Sequence, residues 1–509
     1  MIRTPTSSTA AITPRPVALP GLALFGLTIL LAGLAYLRTM APGVFTLDSP
    51  ELTVGAYSLG IVHSPGYPVF MLVGHLFLKL PLGDVGMRMN LLSALAAAAA
   101  AGIITLMVWW LTMRRLAGVV AGLAFAFCYY VWSMAVIAEV YTFQALLLVG
   151  TLALLWQWRR RGSFASLALA ALLAGLGAAN NPSTVLWWPG FLVLAVTTGA
   201  RRTMRIRHFV ALGGALLLGL SALLYLPLRS LAQPDFVYVG SYDAAGQFNA
   251  MDLSRPENLV WYLSGRQFSW LVAPYTMAEL VGEFGRTVGW LWAGFMGVGL
   301  PLGLWGLWTL YRRERFLALG LALAALPHTL FFIAYGAPDK ETMFLPLFAV
   351  WAIFLGVGLA QLESMLPRRG RPALLALPLA LLLVNLSYVD VSDFRTPQEN
   401  SVSRLVQADS GAVVLAHWGD AGAMHYQQLV KGLRADVTVV NVFFISPEDL
   451  ETLIDDSLDS GRAVYATYSS GLPLDRIRLA SVGSDFQLLP RLPARSLSIR
   501  NPILQQRSK

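Results

Sequence analysis

Long runs without charge constrain the fold of this chain more than any other feature. Residues 18–38, 89–111, 208–228 and 372–388 each hold about 17–23 nearly uncharged positions, and about 20 apolar residues form a helix that crosses a bilayer. Charged residues make up only 13% of the chain, about half of their usual ~25% share in soluble domains. One chain has little room for this many long buried core helices, so the runs predict an α-helical polytopic membrane protein.

Short basic clusters between the apolar runs set the expected topology. They lie at Arg114–Arg115, Arg159–Arg161, Arg201–Arg207, Arg312–Arg315 and Arg368–Arg371, and such clusters mark cytoplasmic loops. With the N-terminus in the cytoplasm, each cluster follows an even-numbered span. The eleven expected spans are 18–38, 87–112, 117–137, 140–158, 164–180, 184–200, 208–228, 286–310, 316–335, 343–364 and 372–389.

The net charge of +9 does not indicate a nucleic-acid partner. The basic clusters have no interleaved aromatic residues and belong to no nucleic-acid-binding fold. They fit loops beside a bilayer instead, and we expect the protein in the inner (plasma) membrane.

The predicted topology divides the chain into two domains. Residues 1–389 form the transmembrane domain, with extracytoplasmic loops at 39–86 and 229–285. Residues 390–509 form a small extracytoplasmic α/β domain with parallel strands, because strand and helix patterns alternate there. Ser446 and Pro447 are typical of a helix start. The strands are expected at 411–417, 436–444 and 462–468, and the helices at 422–433 and 448–460.

The first large loop carries a pair of carboxylates at a predicted helix start. Ser49 is a suitable cap and Pro50 a suitable first residue, which places Asp48 just before the helix and Glu51 in its first turn. At this spacing the two carboxylates can converge on one cavity. Residues 51–62 are expected to form an amphipathic helix along the membrane surface, ending at His63. The alternative is that both carboxylates only cap the helix and that His63 is structural.

This loop resembles that of the GT-C superfamily of membrane glycosyltransferases, which carries an Asp/Glu pair followed by a surface helix and a His-Pro-rich turn. The chain more closely resembles the multi-pass family that includes the O-mannosyltransferase of plexin-type receptor domains. Pro50 and Ser64 depart from the DSGEL and HPPGYP forms common in that family. The matching stretches are LDSPEL, LGIVHSPGYPVF, MRMNLLSAL, AEVYTFQAL, GLGAANNPS, LYLPLRS, ENLVWYLSGRQF, APDKETMFLP, AHWGDAGAMHYQQL and DVTVVN.

The resemblance implies a GT-C enzyme that transfers a sugar from a polyprenyl-phosphate donor, with inversion, to a hydroxyl of a protein, glycan or lipid. Mannose is the sugar that it suggests. Such a reaction needs a carboxylate base, for which we expect Asp48, with Glu51 as a helper and His63 beside them. No cofactor is expected. A divalent cation on these three residues stays open but is not favoured, because relatives of this kind work without one.

The departing phosphate needs a cation, and four basic residues on the extracytoplasmic side are candidates. Asn180, Asn181 and Tyr67 are expected to line the cavity. The alternatives are that the basic residues reach from span ends to the interface and that the two asparagines cap a helix. The candidate cations are Arg229, Arg266, Lys340 and Arg88.

Two other classes of function remain open. A transporter or flippase would place ionisable residues at mid-depth and show internal symmetry, and the sequence has neither pattern. A membrane scaffold that presents the C-terminal domain would not need the first-loop carboxylates.

Overall fold

The computed structural model describes residues 19–198 and 204–490, and the chain divides into two compact units. The larger lies within residues 1–239 and 250–398, the smaller within 240–249 and 399–509. The helices of the larger unit are α1 (Leu19–Thr39), α2 (Ser49–Ser58), α3 (Pro68–Phe77), α4 (Val85–Thr112), α5 (Arg115–Ala126), α6 (Tyr129–Ala135), α7 (Tyr141–Arg161), α8 (Phe164–Asn180), α9 (Trp188–Val196), α10 (Ile206–Leu220), α11 (Tyr225–Leu231), α12 (Pro256–Leu263), α13 (Met277–Gly294), α14 (Gly299–Arg313), α15 (Arg315–Ile333), α16 (Leu345–Met365) and α17 (Ala376–Val389).

Six helical stretches among the described residues are long and apolar enough to cross a membrane. Two bent helix pairs, α5 with α6 and α13 with α14, raise the number to eight if each pair counts as one span. Shorter apolar helices lie at Pro68–Phe77, Phe164–Asn180 and Pro182–Val196. The helical, apolar character predicted from sequence is confirmed, whereas these lengths support six to eight spans rather than a clear eleven. The six are Pro20–Thr39, Val85–Thr112, Ile206–Leu231, Arg315–Ile333, Lys340–Met365 and Arg371–Val389.

The expected span over residues 286–310 is not one continuous helix. The chain bends by 97° between α13 and α14. Met296 and Gly297 both adopt positive φ, 53° and 71°, and this left-handed backbone ends a helix. The expected span 117–137 is also interrupted, by a 64° bend between α5 and α6.

Small residues bring neighbouring helices of the larger unit into backbone contact. A Cβ at Gly175 on α8 would meet the carbonyl oxygen of Leu216 on α10, and one at Gly219 would meet that of Leu172. Without a hydrophobic force between helices in lipid, such close approach is a main source of helix association. Glycine is therefore required on both sides of this crossing.

The first loop folds into α2 and α3, and α2 is not the amphipathic surface helix that the sequence predicted. Residues 49–56 are all buried, and Leu59, with a φ of 50°, ends the helix in the left-handed conformation. The predicted Ser49 cap is also wrong, because Asp48 holds the cap position and the Ser49 hydroxyl accepts a hydrogen bond from the Phe45 amide. The helix packs against α3 and α4, which explains its burial.

The smaller unit contains the predicted α/β arrangement. Strand β3 pairs in parallel with both β4 and β5, as expected, and the Ser446 side chain caps α20. The antiparallel strands β6 and β7 were not predicted; β7 pairs with β5 and extends the sheet to the order β4-β3-β5-β7-β6. The elements are β1 (Gly240–Tyr242), β2 (Phe248–Ala250), α18 (Thr396–Gln407), β3 (Val413–Ala416), α19 (Trp418–Leu429), β4 (Thr438–Asn441), α20 (Pro447–Asp459), β5 (Val464–Ala466), β6 (Ile477–Val482) and β7 (Asp485–Pro490).

Candidate active site

Asp48 stands at the N-terminus of α2 with its carboxylate free of the helix. Its side chain makes no capping hydrogen bond and remains 30% exposed. The Oδ2 atom lies 3.7 Å from Nε2 of His63. The Asp48 side chain therefore does not cap the helix. It places a partly exposed carboxylate beside an imidazole at the helix start.

Glu51 and His63 form a buried pair behind Asp48. Glu51 is fully buried and His63 is 7% exposed. The Glu51 carboxylate accepts a hydrogen bond from the backbone amide of His63 at 2.6 Å, and its Oε2 lies 2.9 Å from Nδ1 of the ring. Two contacts to one residue fix both the backbone and the ring of His63, so the imidazole lies between Glu51 and Asp48.

The charges in this cluster favour a protonated histidine. Burial alone lowers the pKa of His63, but the carboxylates of Glu51 and Asp48 outweigh it and raise the pKa to about 9. Burial raises the pKa of Glu51, and the nearby His63 opposes that increase. At neutral pH the imidazolium thus lies between two carboxylates, one buried and one open to solvent.

The turn that carries His63 is held by α12 and by the segment that follows it. The Tyr262 hydroxyl donates to the Val62 carbonyl at 2.5 Å, and the amide of Ser64 donates to the Gln267 side chain at 2.8 Å. Gly66 has a φ of 86°, and a Cβ there would meet the Tyr262 hydroxyl. The glycine of the HSPGYP motif is therefore needed both for its backbone conformation and for space.

Tyr67 lies beside His63 in this cluster. Its hydroxyl is 3.3 Å from Nε2 of His63, the atom that also faces Asp48. The side chain is 7% exposed, and burial raises its pKa well above the usual value. Tyr67 thus stays a neutral phenol that contacts the same edge of the imidazole as the proposed base.

Two further carboxylates interact with this cluster, and the sequence reasoning assigned neither to the site. Glu139 lies between α6 and α7, is 3% exposed, and has its pKa raised by burial and then by Asp48. Asp339 lies before a short 3₁₀ segment, and its pKa is likewise raised by burial and then by Asp48. Glu139 lies in the AEVYTFQAL stretch and Asp339 in the APDKETMFLP stretch. Those two motifs were the sequence features that could have identified these residues as part of the site.

Three of the four candidate cations are engaged elsewhere in the larger unit. Arg229 donates to the Leu59 carbonyl at 2.6 Å, at the end of α2. Arg88 donates to the Leu78 carbonyl at 2.7 Å and to other carbonyls of the loop before α4. The Lys340 ammonium is buried and lies 2.5 Å from the Glu283 carboxylate. Each of these charges already has a structural partner.

Arg266 differs from the other three because its side chain is exposed and forms no ion pair among the residues that the structure describes. It is followed by Gln267, which binds the Ser64 amide, and by Phe268, whose ring packs edge-on against His63 at 5.8 Å. The backbone of Arg266 is thus held next to the His63 turn while its guanidinium is available.

Asn180 and Asn181 both serve the backbone. The Asn180 side chain accepts a hydrogen bond at 2.8 Å from the Phe70 amide in the first turn of α3, and its buried amide nitrogen has no hydrogen-bond partner within the described part of the chain. Asn181 accepts from the Ser183 amide at 3.0 Å and caps the next 3₁₀ segment.

Asp48, Glu51 and His63 could hold a metal ion, since one ligand atom from each lies within 4.8 Å of the others. A metal would need a neutral ring nitrogen, and the raised pKa of His63 opposes its loss of a proton. At neutral pH a cation at this site would therefore have to displace the proton of His63.

Known proteins match this chain in sequence and in fold. The family model described as the N-terminal domain of the protein O-mannosyl-transferase TMEM260 matches residues 48–204. The mouse protein O-mannosyl-transferase TMEM260 is 31% identical over 196 residues, 36% of this chain and 27% of the relative. The Dictyostelium discoideum protein is 27% identical over 110 residues, 21% of this chain and 13% of the relative. The chain thus spans about a quarter or less of these relatives' lengths.

Two crystal structures of ArnT from Cupriavidus metallidurans share the fold. The structure bound to undecaprenyl phosphate has a TM-score of 0.58 at 12% identity and covers 92% of this chain and 98% of that chain. The apo structure has a TM-score of 0.57 at 14% identity and covers 92% and 97%. The chain therefore shares the fold of ArnT, and its residues 48–204, which include Asp48, Glu51 and His63, match the model of the TMEM260 O-mannosyl-transferase N-terminal domain.

Proposed function

We propose that this protein is a multi-pass membrane glycosyltransferase that transfers a sugar, mannose by its relatives' names, from a polyprenyl-phosphate donor to an acceptor hydroxyl. The observation that carries the proposal is the partly exposed Asp48 carboxylate, which does not cap its helix and lies beside the buried pair of Glu51 and His63. The undecaprenyl phosphate bound by ArnT supports the class of donor.

In the proposed reaction Asp48 is the general base. The acceptor oxygen attacks the anomeric carbon, the bond from that carbon to the phosphate oxygen breaks, and its electron pair leaves with the phosphate. The acceptor proton passes to the Asp48 carboxylate. A polyprenyl phosphate leaves readily as an anion, so one base and one cation suffice, and a single displacement inverts the anomeric centre.

His63 and Glu51 are positioning residues in this scheme. The imidazolium lies 3.7 Å from the Asp48 carboxylate and orients it. Glu51 fixes the ring from the other side. Because Glu51 is fully buried, it orients the base rather than the acceptor.

We assign the donor phosphate to Arg266. It is the candidate whose guanidinium is exposed and unpaired among the described residues, and Gln267 and Phe268 hold its backbone beside the His63 turn. A guanidinium forms paired hydrogen bonds to phosphate oxygens.

We further propose that the chain crosses a plasma membrane eleven times with its N-terminus in the cytoplasm. Residues 390–509 would then form an extracytoplasmic domain. Support comes from the basic clusters, each of which follows an even-numbered span in that count. Asp48 then lies on the extracytoplasmic side, where the acceptor would be a protein, a glycan or a lipid. A reporter fused after residue 389 tests this orientation.

Transfer from labelled polyprenyl-phosphate mannose in membranes tests the function, with the wild type, Asp48→Asn and the control Asp84→Asn. Asp84 lies in the same loop but caps α4, and Asn caps equally well. We expect transfer by the wild type and by Asp84→Asn, and a rate about 10²–10⁴-fold lower for Asp48→Asn. Equal transfer by all three would remove Asp48 as the base. No transfer by any protein, with this and other lipid-linked sugars, would refute the glycosyltransferase proposal.

A further inference from the structure

An apolar groove with a basic end lies between α14 and α15, outside the candidate active site. It has a volume of about 370 Å³, within the range of about 300–1,000 Å³ that is usual for small-molecule sites. Its wall is almost entirely hydrocarbon and aromatic. The lining residues are Leu304, Leu307, Trp308, Tyr311, Ala318, Leu319 and Ala322.

The groove is open along one side. Leu304 is 53% exposed and Trp308 59%, whereas Ala318 at the floor is buried. The small side chains of Ala318 and Ala322 on α15 leave the space that the larger residues of α14 border. This shape suits a flexible hydrocarbon chain lying along the helices.

Three arginines lie where the groove reaches the turn between α14 and α15. The Arg312 guanidinium lies 5.7 Å from the centre of the Trp308 ring, which lines the groove. Arg315 precedes Ala318 by three residues on α15 and so shares its face of the helix. Arg312, Arg313 and Arg315 are exposed, and within residues 19–198 and 204–490 none forms an ion pair with a carboxylate. Glu314, between them, faces Arg159 at 4.0 Å.

We propose that this groove binds an anionic phospholipid, with an acyl chain between α14 and α15 and the phosphate at Arg312 and Arg315. An apolar slot that ends at unpaired guanidiniums complements a molecule with a hydrocarbon chain and a terminal negative charge. Arginine suits phosphate because its planar donors bind two oxygens at once, and basic pockets between membrane helices bind anionic head groups.

Native mass spectrometry of the purified full chain in non-ionic detergent tests this inference. Phosphatidylglycerol and phosphatidylcholine with identical acyl chains are titrated separately. We expect the wild type to bind phosphatidylglycerol more tightly. The double variant Arg312→Gln/Arg315→Gln should lose that preference, since each guanidinium near a phosphate is worth roughly a fivefold change in affinity. Ala322→Trp, which fills the groove and keeps the charges, should weaken both lipids.

A matched control removes the same charge elsewhere. Arg368 and Arg369 are also exposed but follow α16 instead of lying at the turn between α14 and α15, so Arg368→Gln/Arg369→Gln should leave the lipid preference unchanged. Equal binding of the two lipids, or an equal loss in the control variant, would overturn the proposal. Tighter binding of undecaprenyl phosphate than of phosphatidylglycerol, lost in Ala322→Trp, would assign the groove to a carrier lipid instead.

Discussion

Replacing Glu51 by Gln should lower the pKa of His63 from about 9 to about 6.5 or below. Gln keeps the size of the side chain and an oxygen for the His63 amide, so the change removes mainly the charge. The difference between a pKa of about 9 and the ordinary 6.5 corresponds to about 3 kcal/mol of net interaction with the protonated ring, to which Glu51 makes the largest favourable contribution and Asp48 the next. Burial lowers the pKa of a histidine, and in the variant one carboxylate fewer counteracts that effect.

The sign of this effect predicts how stability depends on pH. The folded pKa of His63 lies above the unfolded value, so the stabilisation is complete below about pH 6.5 and is lost as pH rises through about 9. Glu51→Gln should therefore lose up to about 3 kcal/mol of stability relative to the wild type at pH 6, and this difference should narrow as the pH rises towards 10. Thermal unfolding in detergent at the two pH values measures the gap.

NMR of ¹³C-labelled histidine between pH 5 and 10 measures the pKa itself. The chain has six histidines, and the signal of His63 is the one that disappears in His63→Gln. Asp84→Asn is the control and should keep the midpoint near 9. A midpoint near 9 in Glu51→Gln, or near 6.5 in the wild type, would refute the assignment of Glu51 as the main partner of His63.

Three further variants test other parts of the site. Arg266→Gln should raise KM for the lipid-linked donor at least tenfold with little change in protein yield, measured by steady-state transfer, because one charged hydrogen bond to phosphate is worth about 1.5–3 kcal/mol. Gly66→Ala should lower the thermal stability, since it places a methyl group against Tyr262 at a φ of 86° and such strain costs about 1–3 kcal/mol. Lys340→Met should destabilise the larger unit by less than the about 3–5 kcal/mol typical of an orphaned buried charge, because Glu283 loses its buried ammonium partner but keeps Arg286 at 2.7 Å.

The controls for these variants use exposed or equivalent positions. Arg255→Gln, on an exposed side chain before α12, should leave KM unchanged, and an equal rise in both arginine variants would indicate a general charge effect. Gly265 also has a positive φ, but its Cβ would meet nothing, so Gly265→Ala separates backbone strain from the clash at Gly66. An unchanged melting temperature in Lys340→Met would contradict the buried ion pair.

Local sequence signals were sufficient for much of the fold. Apolar runs of membrane length predicted most long helices, because hydrophobicity over about 20 residues is a property of the segment alone. Ser446 and Pro447 predicted the start of α20 for the same local reason. The bend between α13 and α14 was missed because the left-handed conformation of Met296 is not encoded by its residue type.

The sequence by itself determined that Asp48, Glu51 and His63 lie in one loop, and the motifs around them indicated the class of chemistry. The division of roles came only from the tertiary structure. The fold buries Glu51 against the His63 ring and leaves the Asp48 side chain partly exposed. It also brings Glu139 and Asp339 close enough to interact electrostatically with Asp48. Contacts between segments distant in the chain decide burial, partners and therefore charge state, and no local pattern of residues records them.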